Sequence, residues 1–123
     1  MSRDHRKLEA FGLADELTVL MYQRTADFPQ EERFGLRSQL RRAAVSIPTN
    51  LVEGSARESE RDYLRFVDIA FGSTREVTYL ISLARRLGYF DEPSAAKLEE
   101  LGRRIQAALS ALRAGIKRTT WNP

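Results

Sequence analysis

Cysteine is absent from these 123 residues, and histidine occurs once, as His5. Disulfide staples, thiolate metal sites and thiol nucleophiles are therefore excluded. Di-metal sites in helical bundles need Glu-x-x-His pairs on inward faces, and this sequence has none. One histidine in a polar N-terminal stretch also leaves almost no room for histidine-dependent acid–base or nucleophilic catalysis. The sequence therefore predicts no catalytic residues, no metal and no cofactor.

Long apolar runs are missing too, and none approaches the length that crosses a bilayer. The charged opening from Met1 to Lys7 is not followed by an apolar segment, so a cytoplasmic protein without a secretory signal is expected. Proline and glycine are few and fall mainly at plausible joints, and alternation of apolar with polar residues is lacking. Strands are not expected. The length suits one domain with its own core.

What is present is helical periodicity. A first segment, residues 8–25, places Leu13, Leu17, Leu20 and Met21 on one face. Asp27-Phe28-Pro29 ends it and opens a second, residues 30–53, whose stripe is Leu36, Leu40, Ala43, Ala44, Ile47 and Leu51. Pro48 inside that segment predicts a kink or a loosened turn without a break. Gly54 is expected to stop the helix in a left-handed conformation.

Ser59 and Asp62 form a capping pair for a third segment, which runs to Leu87 and stops at Gly88. Asp91 and Pro93 start the fourth, with Leu98, Leu101, Ile105, Ala108, Leu112 and Ile116 as its core stripe. Short joints between long helices make neighbours antiparallel. The expectation is an all-α, up-down-up-down four-helix bundle over residues 8–118, with tails at 1–7 and 119–123.

The third segment carries two stripes. Phe66, Ala70, Ser73, Val77, Leu80, Ala84 and Leu87 form one; Leu64, Val67, Phe71, Thr78 and Ile81 form another. A bundle normally covers one face of each helix, so this excess predicts self-association through Leu64, Val67, Phe71 and Ile81, the alternative being that the other helices of the bundle wrap it unusually well.

Two sets of polar residues could carry function. Arg42, Ser46, Asn50, Glu53 and Arg57 recur every three or four positions on the second helix, and this ridge is expected to meet Ser73 and Glu76 on the third. Structurally it reads as a network in which Arg42 pairs with Glu76 while Ser46 and Asn50 satisfy backbone groups freed by Pro48. Functionally it reads as a binding groove or a Glu53–Glu76 acid–base pair, the weaker alternative.

The other set is basic. The formal charge is +3 and arginine greatly outnumbers lysine, which suits bidentate contact with carboxylates and phosphates. Arg85, Arg86, Arg103, Arg104, Arg113, Lys117 and Arg118 crowd two helix ends, and no acidic residue follows Glu100. The helix dipole explains part of this clustering. Multiplied by symmetry, such patches would bind RNA or DNA; Trp121 and Tyr89 are the only candidate stacking aromatics, and both read equally as packing residues at helix ends. A protein–protein adaptor or structural oligomer with no nucleic-acid role is the alternative function.

The stretch Phe28-Pro29, Glu32, Gly35-Leu36, Gln39-Leu40-Arg41-Arg42-Ala43-Ala44-Val45-Ser46-Ile47-Pro48, Asn50, Glu53-Gly54 and Arg57 closely resembles one four-helix-bundle family. Ala70, Gly72-Ser73, Glu76 and Leu87-Gly88-Tyr89 continue the likeness. The family includes proteins encoded by intervening sequences of large-subunit ribosomal RNA genes and the accessory variability proteins of diversity-generating retroelements. The resemblance implies a homopentameric barrel and no enzyme activity. For the retroelement branch it also implies basic surfaces that bind nucleic acid and a reverse transcriptase.

Overall fold

The computed structural model describes residues 3–5 and 8–120, the last as backbone only. Among these residues there are four α-helices and no strand: α1 Glu9–Arg24, α2 Leu36–Ser55, α3 Glu60–Arg86 and α4 Glu92–Thr120. A 3-10 turn, Gln30–Glu32, precedes α2. Each helix packs against its neighbours in sequence, α1 also packs against α4, and among the described residues the diagonal pairs make no close backbone approach. That is the four-helix bundle the periodicity predicts.

The caps follow their chemistry. The Ser59 hydroxyl accepts the Asp62 backbone N–H at 3.0 Å, and Asp91 Oδ1 accepts that of Ser94 at 2.8 Å. The Ser94 hydrogen bonds hold the Asp91 carboxyl below the usual carboxylate range. At the end of α3, Gly88 adopts φ 79°, while Tyr89 N–H reaches the Ala84 carbonyl and Gly88 N–H that of Arg85. This is the six-to-one and five-to-two closure that needs a left-handed residue.

Three boundaries differ from expectation. Helix α2 starts at Leu36 because the Glu32 carboxylate caps the Leu36 N–H at 3.0 Å, leaving Gln30–Glu32 as a separate turn. Gly54 does not stop α2; it is buried inside it with no positive φ, and its missing Cβ leaves room for α3. Helix α4 runs through Thr120, past the expected end at 118, and residues 121–123 lie outside the described chain.

Pro48 is accommodated without a break. Proline has no N–H, so the Ala44 carbonyl loses its normal donor four residues on. The hydroxyl of Thr18 on α1, bonded to Ala14 O at 2.7 Å, also lies 3.2 Å from Ala44 O. Relief therefore comes from the neighbouring helix, not from Ser46 and Asn50 as the sequence suggested. Thr18→Val is expected to cost about 1 kcal/mol, the size of one hydrogen bond. In a Pro48→Ala background, where the backbone donor returns, the cost should shrink. Denaturant midpoints of the four combinations check this, and an identical cost in both backgrounds would sink it.

The two stripes of α3 are largely covered within a single chain, with Leu87 at the helix end left 52% exposed. Ala70, Val77, Leu80 and Ala84 are buried, and so are Val67 and Ile81, at 0% exposure each. Phe71 and Leu64 pack at the edge of the same core. Two members of the expected self-association surface, Val67 and Ile81, are thus core residues. The physical reason is position: α3 lies between α2 and α4, which shield both flanks.

A candidate nucleic-acid interface

The polar ridge on α2 meets α3 only in part. Ser46 Oγ and Ser73 Oγ are 2.8 Å apart, and Asn50 Nδ2 donates to the Ser46 carbonyl at 2.7 Å and its hydroxyl at 3.1 Å. Arg42 and Glu76 are both exposed, and among the described residues no ion pair joins them. Glu53 pairs with Arg57 at 2.9 Å instead. With Glu53 held by a cation and both carboxylates facing solvent, the acid–base alternative loses its basis. Among the described residues no cluster of carboxylates or histidine could hold a metal ion.

The basic residues picked from the sequence do not form one patch. Arg85 is bound by Glu92 and Glu99, which raise its pKa by hydrogen bonding and charge. Arg113 pairs with Asp68 at 2.6 Å while lying over the Phe71 ring, and Arg104 pairs with Glu100 at 3.7 Å. The Arg86 Nε donates to the Ser82 carbonyl. Arg103, Lys117 and Arg118 are exposed on α4. At about 1.5 Å per residue, roughly 38 Å of helix separates Glu92, beside Arg85, from Lys117. The seven positions thus span the length of the molecule, and three arginines already have carboxylate partners.

A denser basic surface lies elsewhere. Arg33, Arg37, Arg41 and Arg42 surround a cleft of about 380 Å³ with Tyr22 and Phe34, where the end of α1 meets the start of α2. Among the described residues no carboxylate forms an ion pair with any of the four.

Arg41 is held in place: its Nε donates to Thr25 Oγ1 at 2.8 Å, its Nη2 to the Tyr22 carbonyl at 3.0 Å, and its guanidinium lies 4.5 Å from the Tyr22 ring centroid. Thr25 is itself buried and donates to the Met21 carbonyl. Burial, and then the charge of Arg37, push the Arg41 pKa below its usual value. Like charges one helical turn apart repel. A bound anion would relieve that repulsion.

Phe34 stands 87% exposed, with the Arg33 guanidinium 5.3 Å from its ring centroid. The turn that displays it is well anchored. Glu32 takes the Leu36 N–H on one oxygen and the Tyr89 hydroxyl on the other, at 3.2 Å, and buried Phe28 packs against Tyr89 and Phe90. At Gly35 a Cβ would come 2.7 Å from the Glu32 carboxylate oxygen, which would have to shift from its position against the Leu36 N–H. Tyr89 is therefore a structural residue, with burial and the Glu32 hydrogen bond raising its pKa. Trp121, the other aromatic suggested by sequence, lies outside the described residues. Sequence reasoning missed Tyr22 and Phe34, although arginines at 33, 37 and 41 interleaved with an aromatic at 34 were the available signal.

Comparison with known proteins adds two findings. The model of a family described as 23S rRNA-intervening sequence protein matches residues 6–111. A crystal structure of a protein of unknown function from the S23 ribosomal protein family of Bacteroides thetaiotaomicron VPI-5482 superposes with a TM-score of 0.76 at 20% identity. It covers 85% of this chain and 97% of its own. At that identity the likeness bears on the fold. No curated protein matches the sequence.

Proposed function

This chain belongs to the 23S rRNA-intervening sequence protein family, and from that premise we propose that it is a non-enzymatic, homo-oligomeric module that binds nucleic acid. The binding element is the Arg33–Arg37–Arg41–Arg42 cleft. The observation that carries this reading is four arginines gathered around two exposed aromatics, none of the four in an ion pair among the described residues. Arginine recognises phosphate bidentately, and affinity for a polyanion grows with each phosphate neutralised. A partner that handles nucleic acid, such as a reverse transcriptase, belongs to the same reading, since the family resemblance extends to retroelement accessory proteins.

Assembly is part of the same reading. Val19, Val52, Ile69, Tyr79 and Leu87 remain exposed after folding and are available for contact between copies. A closed ring, five copies by the family resemblance, would repeat the cleft by symmetry. Light scattering should give a mass of five chains of 14.1 kDa each.

The binding test is fluorescence anisotropy with labelled RNA and DNA at several salt concentrations. Affinity should fall steeply with salt, and replacing Arg33, Arg37 and Arg42 together by alanine should reduce the logarithmic salt slope by roughly 3. The exposed α4 cations Arg103, Arg104, Lys117 and Arg118, replaced in the same way, should matter less. Wild-type protein that binds nothing at low salt would defeat the proposal.

A further inference from the structure

We infer that this cleft selects unpaired strands: an extruded base stacks on the Phe34 ring, with Tyr22 beside it, while neighbouring phosphates lie on Arg37 and Arg42. The inference rests on the nucleic-acid reading above and narrows it to single-stranded substrate. Its ground is the pairing of each exposed ring with a guanidinium, Phe34 with Arg33 and Tyr22 with Arg41.

Phe34 has no part in the core. An aromatic ring 87% in water, on a turn whose backbone is held by the Glu32, Leu36 and Tyr89 hydrogen bonds, presents a flat face to a ligand. Every base offers a matching π face, and stacking of one base on one ring is worth about one order of magnitude in affinity. Arg37 and Arg41 lie four residues apart, about 6 Å along the axis, so cations follow one another beside the rings as phosphates follow one another beside bases. In a duplex the bases are already stacked and paired, so only the phosphate contacts are available. An acidic peptide would satisfy the arginines and leave the Phe34 ring uncovered; alternating charge and ring favours a strand of nucleotides.

The experiment compares a single-stranded oligonucleotide, as RNA and as DNA, with the duplex of the same sequence. Binding is read by anisotropy for wild-type protein, Phe34→Ala, Phe34→Trp and Arg37→Ala/Arg42→Ala, with solution mass measured for each. Wild type should prefer the single strand by about tenfold, the size of one stacked base. Phe34→Ala should remove that preference and leave duplex binding within about twofold, since duplex binding uses phosphates alone. Phe34→Trp should restore it, and the double arginine variant should weaken both ligands together.

Four outcomes would overturn the inference. Duplex bound as tightly as single strand, or Phe34→Ala binding like wild type, would remove the stacking role while leaving the arginine cleft as a duplex or phosphate site. A mononucleotide competing as well per site as the oligonucleotide would make it a nucleotide pocket. A fall in solution mass for Phe34→Ala would show that a second copy of the chain covers the ring. Loss of binding by neither the arginine variant nor Phe34→Ala would instead sink the broader reading.

Discussion

Replacing Gly54 by alanine is expected to destabilise the bundle by about 1–3 kcal/mol, the usual cost of forcing a methyl into a filled interior. A Cβ at this position would lie 2.8 Å from Phe66 Cβ and 3.2 Å from Tyr63 Cδ1. The nearer atom is attached directly to the α3 backbone, so no rotamer change moves it aside. Helices α2 and α3 would have to separate where Tyr63 is 4% exposed and Leu51 fully buried. Glycine in a helix interior normally loses to alanine by about 1 kcal/mol, so the sign of this effect runs against intrinsic propensity. Gly72 provides the control: it lies in α3 with nothing within 4 Å of where a methyl would stand, and Gly72→Ala should stabilise by about 0.5–1 kcal/mol. Urea unfolding of the two variants measures both. A Gly54→Ala midpoint at or above wild type would mean that the helices do not approach so closely.

Ile81→Ala should have the larger effect, about 2–5 kcal/mol, because it opens a cavity at a site with no exposed surface. The value of this substitution is what it distinguishes. If Ile81 served mainly to join copies of the chain, its loss would lower the solution mass and leave the folded subunit near wild-type stability. As a core residue between α3 and its neighbours, it should lower stability by the same amount at protein concentrations tenfold apart, with the oligomer mass unchanged below the transition. A lowered mass with an unaltered unfolding curve would return Ile81 to an interface between copies.

Much of the bundle was legible in the residues, for identifiable reasons. Leu13, Leu17 and Met21 are buried where the 3.6-residue period put them, as are Leu40, Ile47 and Leu51. Ser59, Asp91 and Gly88 serve as caps because their chemistry has few other uses at a helix end. Local signals failed where the deciding group was remote in sequence. Glu32 capping Leu36, Thr18 approaching the carbonyl that Pro48 strands, and α3 covering Gly54 all depend on which elements meet.

The candidate site was less legible. A run of cations such as Arg85-Arg86 or Arg103-Arg104 looks alike in sequence whether a carboxylate faces it or not. Glu92 and Glu99 neutralise Arg85 across the α3–α4 joint, and Asp68 holds Arg113 although 45 positions separate them. Conversely, the aromatic–arginine cleft draws Tyr22 from α1 and the remaining residues from the turn and α2.

By itself the amino-acid order determined four amphipathic helices, the caps at Ser59, Gly88 and Asp91, the absence of cysteine, and a resemblance that the family match bears out. These depend on neighbours within a few positions, where period and capping act. Tertiary structure alone decided that Val67 and Ile81 are interior, and which arginines keep their charge available. Burial and charge pairing belong to pairs of helices, and a chain read one segment at a time does not contain them.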